Sequence, residues 1–455
     1  MVHYHILKKK FSFNILFFLT LLASLIPFAL IVGPVVAEAL IFFLSFFFIY
    51  FVYIKKINKN YFNNLIKFLF LFWLYLFFKS LFNNEPIYSI SRSFFYFRYI
   101  FFSLLIAYLI IHYVNFRKIF LYLITTTLTV LVVHAYAQHF FSVDLFYLDF
   151  TNFSTHQNFK LLLNNYGSHV ISDVPRDYRI SGLFYSESVL GSYLIKLLPL
   201  YIALLFYYKK KSFFYIFLAL SSLILIIISG ERAAIAVSLI FIILLLIATS
   251  FKFKYYLFIF YCLVVSIVLF SNPNVKQRVY KSTIASFFEG KKDTNISINE
   301  NIISIIGKKI NIFSIGHQGH IQSGLEIFND NKFFGIGIKG FRYECKKEKY
   351  FLKNPYACTT HPHNTYVQLL AETGIFGFLF VLIFYIYLTS IALKFFFYKK
   401  YDGVKYNYYK VLVFSLITNL FPLLPSGSFF NNWISITYFL TLAFFIAEHN
   451  TNTID

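Results

Sequence analysis

Long apolar runs separated by short polar or charged connections repeat along the whole chain. Runs near the ~20 residues that span bilayer hydrocarbon occupy 12–32, 35–54, 65–82, 99–115, 118–140, 183–207, 213–229, 232–250, 255–271, 364–392, 408–425 and 429–447. This pattern predicts an all-α polytopic membrane protein of about 12 transmembrane helices, since helices satisfy their own backbone groups in lipid. Two connections are too long to be turns, 141–182 and 272–363. The second lies between the ninth and tenth runs. Its Asn-, Lys- and Ser-rich middle, Lys291 to Lys309, predicts loose order. Beyond it, His320 to Phe328 has helical spacing of apolar residues. Gly335-Ile-Gly337-Ile-Lys-Gly340 then reads as a glycine turn, and no strand and helix frame it as a dinucleotide site. With no internal repeat, the expected organisation is a single membrane domain, 1–455, with 272–363 as its large loop.

Composition agrees with the pattern. Hydrophobic residues make up 59% of the 455, only 13% are charged, and mean hydropathy is +0.67. A soluble domain is rarely more than about half apolar and could not cover 64 phenylalanines. The formal charge of +22 would suggest nucleic acid in a soluble chain. Here the cations fall in short runs between apolar segments, which marks topology and excludes nucleic acid as the partner. Alternation gathers Lys8 to Lys10, Lys55, Lys56, Lys59, Lys67, Arg117, Lys118, Lys209 to Lys211, Lys252, Lys254 and Lys394 to Lys410 on one side. Arg92, Arg98, Lys160, Arg176, Arg179 and Arg232 fall on the other. The positive-inside rule then expects both termini in the cytoplasm. The first run lacks a small-residue cleavage site and reads as a retained anchor.

Candidate chemistry gathers on the outward side. His361-Pro-His363-Asn364 stands at the mouth of the tenth run, and Gly374-Ile-Phe-Gly377 follows. Imidazole transfers protons near neutral pH. Pro362 is expected to aim the two rings differently, and Asn364 suits a helix N-cap. Gly374 and Gly377 suit close approach of a neighbouring helix. Glu372 is an intramembrane carboxylate, a functional candidate or the partner of an arginine. Glu187 and Lys196 are expected to line a hydrated cavity. Arg179 and Arg232 have the guanidinium geometry that binds phosphate oxygens; the alternative is that each only snorkels to the interface. Cys262 reads as packing. Cys345 and Cys358 would form a disulfide in an oxidising compartment, or remain two thiols. Their spacing to His361 and His363 fits no standard zinc pattern, so no metal is expected.

These residues carry a resemblance to the O-antigen ligase and O-antigen polymerase superfamily of bacterial membrane proteins. The ligase hallmark of His-Asn, nine residues and Gly-x-x-Gly is met by His363-Asn364 and Gly374-Ile-Phe-Gly377. Arg179 in Arg-Ile-Ser-Gly-Leu-Phe and Arg232 in Ser-Gly-Glu-Arg-Ala-Ala match the family's two arginine blocks. Phe334-Gly335-Ile-Gly337 is similar to its motif upstream of the histidine, and the similarity runs from roughly 175 to 390. Ser186-Glu187-Ser188-Val189 departs from the family's Asn/Pro-type pair.

The resemblance implies a GT-C-like fold and a metal-independent inverting glycosyltransferase with no cofactor, in the bacterial inner membrane with a periplasmic site. The donor it implies is a glycan on undecaprenyl pyrophosphate. Arg179 and Arg232 would hold the pyrophosphate. His363 would act as base, with His361, Asn364, Glu372, Gly374 and Gly377 in support. A ligase would use lipid A–core as acceptor, and a polymerase another lipid-linked repeat; a protein hydroxyl is a third acceptor. A twelve-helix transporter or flippase is the rival from another class. It would place its charges near the bilayer midplane, whereas these gather at one face.

Overall fold

The computed structural model of the chain describes residues 15–55, 63–83, 86–141, 180–184, 187–210, 212–248, 254–272, 275–276, 279, 303–305, 308–310, 315–351, 357–398 and 406–452. The described residues are helical apart from one short hairpin, β1 (Ile303–Ile305) against β2 (Lys308–Ile310), inside the stretch expected to be loosely ordered. Among them, five helices are long and apolar enough to cross a membrane, or six if one bent pair is a single span.

The helices follow the apolar runs closely. α1 (Ile15–Ser24) and α2 (Ile26–Val32) form the bent pair, broken by 44°, and Pro27 sits in the first turn of α2, where a missing N–H is tolerated. Next come α3 (Pro34–Lys55), α4 (Asn64–Ser80), α5 (Pro86–Phe94), α6 (Phe97–His112) and α7 (Phe116–Phe141). After the 141–182 connection, whose residues 142–179 lie outside the described part, the chain runs through α8 (Leu190–Tyr207), α9 (Phe213–Ile228), α10 (Arg232–Ala248) and α11 (Lys254–Ser271). The connection between α11 and the next long helix carries α12 (Ile315–Asp330), α13 (Phe341–Glu344) and α14 (Glu348–Phe351). The chain finishes with α15 (Thr365–Phe397), α16 (Asn407–Asn419) and α17 (Asn432–Asn452). α6 packs against α3 and α17, and α8 against α9 and α16.

Two boundaries differ from the apolar pattern, each for a backbone reason. The run 183–207 becomes a helix only at Leu190, because Gly182 is left-handed at φ 59 and opens a 3-10 turn, Gly182–Phe184. Glu187 therefore stands exposed ahead of α8. The run 408–425 stops at Asn419, short of Pro422 and Pro425, which cannot continue a helix. Residues 420–431 instead form a connection that reaches back to the start of α15.

α15 is broken at Gly374, whose φ of 65 and ψ of −170 is a conformation essentially confined to glycine. The break frees backbone groups that other elements satisfy. Ile336 N–H donates to Ala371 O at 3.0 Å and Gly337 N–H to Glu372 O at 2.8 Å. Ile375 N–H donates to Lys332 O at 2.8 Å, and Lys79 Nζ to Glu372 O at 3.1 Å. Tyr75 donates its hydroxyl to Thr373 O. The two glycines of the expected helix-approach motif thus act differently: Gly374 admits the loop at Phe333 and Phe334, and Gly377 abuts Thr373 and Tyr75. Gly374→Ala places a Cβ onto the Phe333 carbonyl in a forbidden backbone region. It should destabilise the folded state by about 3 kcal/mol or more, read as a large drop in melting temperature of the purified protein in detergent.

Candidate active site

His363 holds a left-handed backbone at φ 55, which non-glycine residues rarely adopt. Such an outlier persists only where the surroundings impose it, and here they are visible. Asn364 caps α15, its Oδ1 accepting from Tyr366 N–H at 3.0 Å and Val367 N–H at 3.1 Å. Its Nδ2 donates to Pro422 O at 2.8 Å, fastening the cap to the 420–431 connection. Ser426 N–H donates to His363 O at 2.9 Å, and Thr365 Oγ1 and Ser426 Oγ are 2.8 Å apart.

The turn brings the His361 and His363 rings together, with centroids 4.2 Å apart, where Pro362 was expected to separate their aims. The left-handed step at His363 reverses the chain and overrides the proline. Two further imidazoles complete the group. His317 and His320, one turn apart on α12, lie with ring centroids 5.2 and 5.3 Å from that of His363. α12 can approach this closely because Gly324 faces Pro362 and Val367 without a side chain.

The four rings are not equivalent. His361 Nε2 faces Ser426 O at 3.2 Å, an acceptor only, so this nitrogen carries the proton. Its Nδ1 then accepts from the Thr360 hydroxyl at 2.9 Å. Among the described residues, no hydrogen-bond partner claims the His363 ring. Burial, followed by the neighbouring His361, His317 and His320, holds His363 at about pKa 3 against an ordinary 6.5. Burial likewise lowers His361 to about 4, the Ser426 carbonyl opposing and Arg342 adding to the depression. Both rings are neutral at pH 7, the form that accepts a proton.

The Arg232 charge reaches His317, whose pKa is lowered by burial first and by that charge second. The position of Arg232 follows from the turn before α10. Gly230 is left-handed at φ 66, and Glu231 turns its carboxylate onto the start of α8. It accepts Gly191 N–H at 2.6 Å, Ser192 N–H at 3.0 Å and the Ser192 hydroxyl at 2.6 Å. A carboxylate on unsatisfied helix N–H groups is a favourable cap. Arg179 lies outside the described residues; the 3-10 turn that follows it is tied to α7 by Gly182 N–H donating to Gln138 Oε1 at 2.8 Å.

Other candidates fall elsewhere. Glu372 is fully buried, and among the described residues it forms no ion pair with an arginine. Its carboxylate accepts from Gln368 Nε2 at 2.9 Å and Phe341 N–H at 3.3 Å, and Gln368 also binds Ser428 Oγ and Phe429 N–H, each at 2.8 Å. Glu372 therefore braces the glycine turn and the 420–431 connection beneath the histidines. Lys196 bonds Asn419 Oδ1 at 3.2 Å and lies over the Tyr438 ring. Asn419 and Tyr438 border a groove lined by Phe68, Phe72, Phe380, Phe384 and Phe429, so the two partners of Lys196 lie at the edge of an apolar groove. Cys345 and Cys358 form a disulfide, which ties α13 to the segment leading into His361. Cys262 is exposed on α11 and not packed. No group of three or more metal-ligating side chains suits a metal ion among the described residues.

The family model described as O-antigen ligase matches residues 216–382, from α9 through the histidine turn to the break in α15. Over this segment, 167 of the 455 residues, the chain is similar to the O-antigen ligase family. Arg232, both disulfide cysteines, all four clustered histidines and the two glycines of α15 lie inside the matched segment, and Arg179 lies before it. No curated protein matches the chain. His317 and His320 escape sequence reasoning because nothing in a helical segment of a long loop marks which face meets a distant turn. Their one-turn spacing was the available signal.

Proposed function

We propose that the chain transfers a glycan from an undecaprenyl-pyrophosphate donor to an acceptor hydroxyl at the periplasmic face of the inner membrane, as a ligase acting on lipid A–core. The observation that carries this reading is the unclaimed, neutral His363 ring grouped with His317 and, through it, Arg232. His363 takes the proton of the acceptor hydroxyl as the oxygen attacks the anomeric carbon, with inversion. Arg232, with Arg179, neutralises the pyrophosphate as the glycosidic bond to it breaks. The groove at Phe429, next to Ser428, would give the polyprenyl tail a lining that is mostly aromatic and aliphatic. In this reading the chain is one membrane domain of about 12 helices, with cytoplasmic termini and 272–363 carrying part of the site. A repeat-unit polymerase would use the same groups on another lipid-linked glycan.

Purified protein in detergent, given lipid-linked donor and core acceptor without added divalent metal, should form a new glycosidic bond. Absence of that product refutes the reading. A transporter or flippase would give none.

The pH dependence has a defined sign. His363 takes up a proton only near pH 3, below its ordinary 6.5, so the acid limb of the transfer rate should lie below about pH 5. Changing both His317 and His320 to asparagine removes two neighbouring imidazoles and should move that limb upward by about a pH unit. An unmoved limb shows that the two rings do not tune the base. Stability follows the same linkage. The unfolded chain binds protons near 6.5 that folded His361 and His363 refuse, so folding should weaken as pH falls below that value.

A further inference from the structure

Two adjacent phenylalanines, Phe333 and Phe334, stand 62% and 59% exposed just after α12. Large apolar rings left open side by side mark a contact surface. Their backbone is firmly held. Lys332 O accepts from Ile375 N–H at 2.8 Å, Gly335 N–H donates to Asn331 O at 2.9 Å, and Ile336 N–H donates to Ala371 O at 3.0 Å. The Phe333 carbonyl lies against Gly374, where a side chain would collide with it. The pair is thus fastened on both sides of the break in α15. Its rings lie beside Phe376, with centroids 6.4 and 5.7 Å away.

Phe376 sets the level of the pair in the membrane. From Ile375 to Leu393 the chain has 19 residues without a charge, and Lys394 follows. At about 1.5 Å per residue this stretch is about 28 Å long, close to the ~30 Å of bilayer hydrocarbon. Before the break, Gln368 and Glu372 are buried and bonded to protein groups. The hydrocarbon boundary on the histidine side therefore falls at the break, and Phe376 stands just inside it. α4 ends at the same level, since Tyr75 donates to Thr373 O and Lys79 to Glu372 O. Past that end, Asn83 and Ser89 meet Gly337, and Phe82 and Ile87 near them are each 87% exposed. On the other side of the pair the chain turns polar. Lys332 is exposed, and Asp330 is held by Tyr350 and Lys349, each at 2.6 Å. Water leaves the apolar area of these rings uncovered, whereas lipid chains remove it from water.

We propose that Phe333 and Phe334 form a membrane anchor, their rings inserted among the lipid acyl chains of the leaflet on the histidine side. Lys332 then extends its amine to the headgroup phosphates. The anchor bears on the site through α12. This helix runs beside the first half of α15 in the opposite direction, with Gly324 against Val367 and Phe333 against Gly374. His317 and His320 stand at the end of α12 away from the pair. Insertion therefore seats the block that carries these imidazoles on the bilayer surface, at the level of a lipid-linked substrate's headgroup. The word substrate rests on the glycan-transfer reading; the anchor does not.

Spin labels test the insertion directly. Full-length protein carrying Cys262→Ser, which removes the free thiol, is labelled at Phe333→Cys or at Phe334→Cys. It is placed in liposomes of phosphatidylethanolamine and phosphatidylglycerol. Collision of the label with oxygen, which dissolves in hydrocarbon, is compared with collision with a polar nickel chelate. Ile383→Cys, exposed eight residues past Ile375, is the lipid reference, and Glu348→Cys, exposed on α14, is the water reference. The oxygen-to-nickel ratio at both labels should exceed that of Glu348→Cys by about tenfold, because hydrocarbon excludes the chelate. Both rings are exposed, so each labelled protein should melt in detergent as its Cys262→Ser parent does, and either label alone decides the question. A ratio equal to that of Glu348→Cys overturns the anchor. Weak collision with both reagents also overturns it and assigns the pair to contact with a second copy of the chain. Loss of oxygen collision on adding undecaprenyl pyrophosphate overturns it in favour of a surface for that lipid. Changing Phe333 and Phe334 together to serine should lower transfer in liposomes by about tenfold or more, through misplacement of the histidine group, with little change in detergent. An unchanged liposome rate removes the seating role. If the labels insert but wild-type protein forms no glycosidic bond, the transfer reading fails and the anchor stands.

Discussion

His363→Asn should lower glycan transfer by about 10²- to 10⁴-fold, the range that a positioned general base contributes. Asparagine is the informative replacement because it tolerates the left-handed backbone that His363 adopts at φ 55. Alanine would mix loss of the base with backbone strain. The Asn364 cap, the Ser426 N–H to His363 O bond and the packing of α12 on Gly324 do not use the imidazole. The variant should therefore enter the membrane and melt close to the wild type. His361→Asn makes the contrast: its ring is already bonded to Ser426 O and Thr360, so its loss should reduce the rate mainly by loosening the turn. Transfer by His363→Asn within about tenfold of wild type would remove the base assignment.

Arg232→Ala should cost about 10²- to 10³-fold in kcat, the loss seen when one group stabilising developing charge is removed. The effect belongs in kcat more than in KM if the guanidinium meets charge that grows as the pyrophosphate departs. The turn carrying Arg232 is held by Gly230 and by the Glu231 carboxylate on Gly191 and Ser192, so alanine at 232 leaves its support in place. Arg232→Lys keeps the charge but loses the two-pronged geometry, and should recover only part of the rate. Arg179→Ala should show a loss of the same order. A rate unchanged by Arg232→Ala would refute its role, whatever His363 does.

Much of the architecture was legible because lipid imposes a simple rule on sequence. Each apolar run overlaps a described helix or helix pair, and five spans, or six with the bent pair, are long and apolar enough among the described residues to cross a membrane. The misread boundaries lie where single residues change the backbone: left-handed Gly182 delays α8 to Leu190, and Pro422 and Pro425 end α16 early. At the site, His363, Asn364 and Arg232 could be singled out by residue type and spacing. Their surroundings could not. His317 and His320 are more than forty residues from His363 in the chain, and Ser426 more than sixty.

What the chain determined by itself is local: where hydrocarbon-length helices form, which glycines and prolines interrupt them, and which side chains have phosphate- or proton-handling chemistry. Only the tertiary structure decided that Gly374 breaks a helix to receive the turn at Gly335, that Glu372 is a brace, and that three further imidazoles gather around the His363 ring. The reason is physical. Backbone hydrogen bonding and hydropathy act over a few neighbouring residues, whereas burial and charge depend on every element packed around a group, however far away it lies in sequence.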